Sequence, residues 1–545
     1  MKKSSVNVIL SAAEKEVGRS IKSLKAPGHP RPYFVSYLIR DIEEYDIWAR
    51  YGGGVKTKSS RKRNCYADVR VGSRLYDQIT KGGLTENSEE DESVELIDLP
   101  QEDDEDGLRF CLWRLTDAKY REAVSRYHGR KSRDVSYLDE NKGIPSFQLM
   151  KGNASIGQLK NLKVDEKKIT SLVKSVSKIM KAWPEIKNSY VEFSASLTTK
   201  IYVSSEGIKR TWQEPIYSLT AYMWYHTKKC NEEPALVFNT CRFEELPSIS
   251  ELKRQVTERY HLLKEIEKGD KLISYTGPVL MGPRPAGLFI HEVMGHRLEG
   301  CRLLSDDEGR TFKDKVGKLV VHKSMDIFDN PGLKKWGKQT LVGHYPYDDE
   351  GVEAGKSMLV EKGVLKGFLT NRSPLSRKDH ENNGHGRNQS FERPVSRMAN
   401  LIITSDSSDS WVDLKKQLIE EIKRRKIPYG IILYEVEGGE TGTESFNFQA
   451  FMGEITVAVK VFPDGREKYV RGVDFVGTPL SSLSNIVAVG KDLEVDNGFC
   501  GAESGYIPVS TVSPAILLAN LELQAKDPNR VTQYALPLPW FDKKS

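Results

Sequence analysis

The stretch LPSISELKRQVTERYHLLKEIEKG, residues 246–269, constrains this chain more than any other. Its apolar residues recur at helical spacing and its charges fall on an outer face. It stops at Gly269, ahead of the proline- and glycine-bearing YTGPVLMGPRPAG. On both sides of it, helix-like and strand-like text comes in blocks rather than in β-α-β alternation. That pattern predicts an α+β chain with largely antiparallel sheets and flanking helices. A boundary at this junction gives two domains, 1–270 and 271–545, and 545 residues suffice for two cores.

Within the first domain, SAAEKEVGRSIKSLK reads as an amphipathic helix through Ala13, Val17, Ile21 and Leu24. DIEEYDIWARYGG is helix-like text ending on glycines, and CYADVRVGSRLYDQI alternates like a half-buried strand. LTDAKYREAVSRYHGRKSRD reads as a helix. Tyr190 to Ser204 is β-rich, with Ser-Glu-Gly as a turn behind it, and SLTAYMWYHTKK looks like its paired strand. In the second domain, SMLVEKGVLKGFLTN reads as a strand pair turning at Lys-Gly. The helix DLKKQLIEEIKRRKI then precedes a long β run from Tyr429 to Gly477.

Charge excludes some functions. The 82 basic and 76 acidic residues leave a net +6, which gives no argument for nucleic acid as a partner. The basic run Lys56 to Arg63 and the acidic segment 86–107 read as solvated loops. The apolar run Val6 to Leu10 is too short for a signal-peptide core, and no eighteen-residue apolar run exists to span a membrane. Six cysteines scattered without a pairing pattern fit reduced thiols, and the expected location is the cytoplasm.

The chemistry concentrates in HEVMGHRLEGC, His291 to Cys301. Zinc helices carry H-E-x-x-H, with histidines about 40° apart around the axis; His291 and His296 are five apart, about 140° on a regular helix. A single wide turn with an i→i+5 hydrogen bond would bring both imidazoles onto one ion. Gly295 is the residue best able to take such a distorted backbone. Glu292 stands where the four-spaced motif keeps its proton-transferring glutamate.

A catalytic zinc takes three protein ligands and keeps one position open. Cys301 is nearest in sequence; Cys500, in a glycine-flanked loop, suits a ligand arriving from elsewhere in the fold. Spacing leaves the two cysteines even. His344 and His385 lie in glycine-containing loops; they stand as candidate accessory ligands or substrate contacts, with an ordinary packed or surface histidine as the favoured reading of each.

HEVMGHRLEG, DDEG at 348–351, KGVLKGFLTNR, GHGRNQSFERPVSRMANLII, EGGETGTESFNFQAF and NGFCGAESGYIPV occur in one order over about 275–530. Together they resemble the TldD/PmbA family of metallopeptidases. The resemblance implies zinc held by His291, His296 and Cys500, with Glu292 catalytic. It also implies two α+β domains, assembly as a homodimer or with a related subunit, and unfolded or modified peptides as substrates. The chain departs from the pattern at Arg297, at Cys301 and in the loop CGAESG, which marks a divergent branch.

The expected activity is therefore a zinc metallopeptidase in which metal-activated water attacks with Glu292 as base. The glycine-rich strand at Gly438, Gly439 and Glu440 could accept an extended peptide by strand addition, or could simply bulge a sheet. Two other classes are compatible with the same residues. One is a zinc-containing peptide-binding or maturation partner without proteolysis; the other is a zinc amidase of non-peptide substrates.

Overall fold

Two paired strands of 19 residues form one edge of the N-terminal sheet, in a computed structural model describing residues 3–80, 98–136, 141–305, 307–377, 382–445, 449–526 and 537–541. The half runs α1 (Lys3–Ser23), β1 (Pro32–Arg50), β2 (Gly53–Val71), α2 (Glu105–Ser136), β3 (Ala154–Ile156), α3 (Glu166–Ile179), β4 (Ile186–Ser204), β5 (Lys209–His226), β6 (Asn231–Glu232), β7 (Ala235–Thr240) and α4 (Ile249–Lys268). The sheet order is β2-β1-β4-β5-β3, with β6 and β7 also on β5. One core joins Ile9, Ala13 and Val17 of α1 to Leu108 and Leu112 of α2 and Val35 and Ile39 of β1. A second sets Val173 of α3 and Leu252 and Val256 of α4 against Phe193. The helices start where side chains satisfy orphan amides: Asp165 accepts from Lys168 N and Ser248 from Glu251 N.

Two expectations fail together here. DIEEYDIWARYGG is strand, the second half of β1, and the basic run 56–63 is its antiparallel partner in β2 rather than a solvated loop. The register sets Asp41 opposite Arg63, Glu43 opposite Arg61 and Asp46 opposite Lys58. Asp41 Oδ2 accepts from Arg61 Nη2 and from Arg63 Nε, both at 2.8 Å. Cross-strand pairing of opposite charges thus overrides the helical spacing of the apolar residues. Arg63 is fully buried and also donates to the carbonyls of Pro100 and Glu102. Of the acidic segment, 86–97 lies outside the described residues, while Glu105 and Asp106 form the first turn of α2, where a helix favours anions.

The C-terminal half continues with β8 (Asp270–Lys271), β9 (Ser274–Met281), α5 (Pro283–Ile290) and β10 (Met325–Asp329). A small ribbon of β11 (Lys335–Trp336) and β12 (Gln339–Thr340) precedes β13 (Ser357–Glu361) and β14 (Val364–Leu365). A second ribbon, β15 (Gly386–Arg387) and β16 (Val395–Ser396), leads to β17 (Asn400–Ser405) and α6 (Trp411–Arg425). Then come β18 (Gly430–Thr441), β19 (Phe451–Val461), β20 (Glu467–Arg471), β21 (Val473–Gly477), α7 (Pro479–Ser484), β22 (Ile486–Ala502) and β23 (Gly505–Ala525). The sheet order is β14-β13-β10-β17-β23-β9-β18-β19-β20-β8, with β21 on β19 and β23, and β22 on β23. The predicted turn falls between β13 and β14, where Lys362 and Gly363 take φ of 47° and 75°. The architecture is α+β with mostly antiparallel sheets, as the block pattern implies. No helix among the described residues is long and apolar enough to cross a membrane.

The halves meet through buried charge. Lys200 of β4 donates to Asp349 at 2.7 Å, and Arg40 of β1 lies 3.3 Å from the same carboxylate. Asp349 also accepts from Asn388 N at 3.0 Å. Arg372 pairs with Glu206 at 2.7 Å, and its amide donates to Glu350. A second seam joins β7 to β22, where Asn239 Nδ2 donates to the Asn497 carbonyl and Asn497 Nδ2 donates to that of Asn239.

Candidate metal centre

Gly282 caps α5, and Pro283 occupies its first position, where a missing amide costs nothing. The regular helix ends at Ile290 and becomes a π-turn over His291–Gly295. The His296 amide donates to the His291 carbonyl, which is the i→i+5 bond that the five-residue spacing requires. The imidazoles end up crossed at 88° with centroids 5.0 Å apart.

Gly295 serves this turn differently from expectation. Its φ of −53° and ψ of −57° are ordinary right-handed helix, open to any residue. What excludes a side chain is space, because a Cβ there would overlap the sulfur of buried Met398 and touch its methyl at 3.0 Å. Gly295→Ala is expected to cost about 1–3 kcal/mol by overpacking, read as a lower urea midpoint.

The third group comes from 209 residues away. Cys500 lies inside β22, paired with Ile507 of β23, rather than in a loop. Its Sγ is 3.3 Å from His291 Nε2 and 3.3 Å from His296 Nε2. All three side chains are buried, with ligand atoms within 4.8 Å of one another, the arrangement a metal ion needs. Burial pushes the Cys500 thiol up, but His296 and His291 beside it hold it well below the usual thiol range, toward the thiolate that binds metals. Cys301 stands apart: its amide and thiol engage Ser396, and burial pushes its pKa up to about 11. His344 bonds the Pro331 carbonyl, and His385, fully buried, faces Asp329 at 3.2 Å; neither joins the cluster.

The cluster opens into a cavity of about 860 Å³ between the two sheets, lined by Val237 of β7, Arg259 of α4, Glu292, Glu437 to Thr441 and Phe499. Glu292 is 5% exposed and lies against Gly439, where a Cβ would come within 3.0 Å of its Cγ. Gly438 and Glu440 also line this space. The β18–β19 register shifts between Val436 and Gly439, so the bulge reading of the Gly-Gly pair describes the strand itself.

Residues 274–525 match the family model described as the PmbA/TldA metallopeptidase C-terminal domain. Over this stretch the chain carries the C-terminal domain of the TldD/PmbA family. A metalloprotease of Methanocaldococcus jannaschii is 32% identical over 234 residues, 42% of this chain and 47% of the relative. A zinc metalloprotease TldD homolog of Saccharolobus solfataricus is 24% identical over 411 residues, 75% of this chain and 85% of the relative. The matches to the first of these archaeal relatives span about half of their length. TldE from Thermococcus kodakarensis shares the fold, at TM-score 0.60 and 12% identity over 94% of this chain and 100% of that one.

The roles of two residues beside this cluster escaped sequence reasoning. Glu299 is fully buried; its Oε2 lies 3.2 Å from His296 Nδ1 and accepts from Arg302 Nε at 3.0 Å. A carboxylate on the far nitrogen fixes which imidazole nitrogen is free to bind. Burial pushes the Glu299 carboxyl up, but His296 and Arg302 pull it down to about 2. The only signal was a glutamate three residues past a candidate ligand. Arg297, the departure from the family pattern, donates to the Glu292 carbonyl at 2.6 Å and to the Gly442 and Gln449 carbonyls at 2.8 Å. It staples the wide turn to the loop between β18 and β19, taking up a carbonyl at the turn.

Proposed function

We propose that this chain is a zinc-dependent metallopeptidase acting on unfolded or modified peptides. The observation that carries the reading is the convergence of His291, His296 and Cys500 beside Glu292 at the wall of a large cavity. The donor set fits zinc: two imidazoles and a thiolate are ligands it favours, and three protein donors leave one position for chemistry, where structural sites close with four. The Glu299 contact on His296 adds the outer support such ligands need.

When bound, the ion supplies Lewis acidity that polarises a carbonyl and eases deprotonation of water. The chain does the rest. Glu292, buried at the cavity wall, takes the proton of the attacking water and returns one to the leaving amine nitrogen. Beyond Leu433 no strand pairs with β18 on its β9 side among the described residues, because the chain turns at Gly282 into α5. Gly438, Gly439 and Glu440 lie on that stretch and offer backbone groups to an extended peptide, with no side chain at two of the three positions. A substrate must be unfolded to lie there. The TldE likeness and the family resemblance favour assembly as a homodimer or with a related subunit, and a cytoplasmic setting suits the reduced Cys500 thiol.

The test is zinc per chain by elemental analysis, in wild type and Cys500→Ser, alongside cleavage of an unfolded protein. One zinc per chain is expected in the wild type. In Cys500→Ser, affinity should fall more than about 100-fold, beyond what outer-shell changes cause, and cleavage should go with it. Zinc unchanged in the variant would remove Cys500 from the site. Zinc bound with no hydrolysis of any peptide would favour a binding partner, and turnover confined to small amides would favour the amidase.

A further inference from the structure

The contacts around the three donors continue into a closed ring. Arg397, fully buried in the segment ahead of β17, turns its guanidinium onto the Cys500 hairpin. Its Nη2 donates to Cys500 Sγ at 3.3 Å and to the Cys500 carbonyl at 2.8 Å. Its Nη1 donates to Ser504 Oγ and to the Gly505 carbonyl, both at 3.0 Å. Its Nε lies 3.3 Å from Glu299 Oε1, and the other oxygen of Glu299 meets His296. His296, Glu299, Arg397 and Cys500 therefore form one circuit, closed by the 3.3 Å approach of His296 Nε2 to the sulfur.

The contacts to Ser504 and Gly505 are what a residue holding a hairpin would make. The contact to Sγ is not needed for that. A buried guanidinium is costly to place, and one that spends an N–H on a sulfur acts on the electronic character of that sulfur. A thiolate gives a metal more charge than an imidazole does and so weakens it as a Lewis acid. A cationic donor on the sulfur draws that charge back, as hydrogen bonds to ligand sulfurs do in other metal sites.

We propose that Arg397 is a positioning residue for the metal centre: it fixes the Cys500 sulfur and withdraws electron density from it, with Glu299 transmitting the same grip to His296. The inference rests on reading His291, His296 and Cys500 as the ligands. Glu299 pairs with both arginines, Arg302 and Arg397, so the charge of the sulfur is set against a cation already anchored on the far side of the circuit.

The test uses cobalt(II) in the full chain, comparing wild type with Arg397→Gln and Arg397→Lys. The readouts are the energy of the thiolate-to-cobalt absorption, cobalt affinity by chelator competition, and the split between kcat and KM with zinc loaded. In Arg397→Gln the band is expected to move to longer wavelength, affinity to change by about 10–100-fold, and kcat to fall by a similar factor with KM little changed. Arg397→Lys, which keeps a cation but lacks the fork, should recover part of each. Should Arg397→Gln fail to fold, Arg397→Lys carries the same comparison against wild type. A folded variant that takes up no cobalt supports the positional half of the proposal. A variant that binds cobalt with its band at the wild-type energy overturns it. Absence of any thiolate band in the wild type is a different failure, which removes the three-ligand reading itself.

Discussion

Glu292→Gln is expected to retain its metal and to lose about 10²- to 10⁴-fold in kcat, the range a positioned general acid–base supplies. The side chain is 5% exposed, packs on Gly439 and faces the cavity beside both histidines without sharing their sulfur contact. Glutamine keeps the volume and the packing and removes only the ability to take a proton, so zinc content and thermal stability should stay near wild type. The measurement is cleavage of an unfolded protein at saturating substrate, with zinc assayed on the same sample. Activity within a few fold of wild type would place the proton transfer elsewhere. Zinc lost together with activity would instead make Glu292 part of the metal's support.

The second large effect is on stability. Asp349→Ala should cost about 3–5 kcal/mol, the penalty for leaving buried charge without its counter-ion. Lys200 and Arg40 come from two adjacent strands of the N-terminal sheet, and Asp349 comes from the C-terminal half, so one carboxylate neutralises two cations across the seam. Burial pushes the Asp349 carboxyl up, but Lys200 and Arg40 more than offset it, and the group ends below its ordinary range. A lower thermal midpoint and faster proteolysis at a fixed temperature would report the loss. A midpoint unchanged by the substitution would show that Lys200 finds enough in Glu214, 2.9 Å away. Because β7 and β22 line the cavity from opposite halves, loosening this seam should also lower cleavage while leaving zinc in place.

The strings that carried the family resemblance divide along the same lines. DDEG supplies Asp349 to the seam, and GHGRNQ supplies Asn388, which bonds both Asp349 and Arg40. NGFCGAESG brings Cys500 to the histidines, and RMAN brings Arg397 to Cys500. A motif read as one signature thus serves two physical ends, holding two halves together and building a donor cluster.

Sequence alone determined what depends on neighbours along the chain. Helical spacing and the stop at Gly269 located α4, and the pattern DLKKQLIEEIKRRKI located α6; the serine cap of the first and the Ser410–Asp413 capping box of the second are seen in the fold. The spacing of His291 and His296 allowed both imidazoles onto one face through a single wide turn, and the backbone has that turn, with its i→i+5 bond. Tertiary structure decided what depends on residues far apart. Local spacing could not choose between Cys301 and Cys500, because the choice rests on how β22 lies against α5. Nor could it show that an acidic run and a basic run would pair as β1 and β2, or that Gly295 is small to clear Met398 rather than to bend. Backbone periodicity is written in adjacent residues, whereas charge pairing, packing space and the meeting of metal donors exist only once distant segments are side by side.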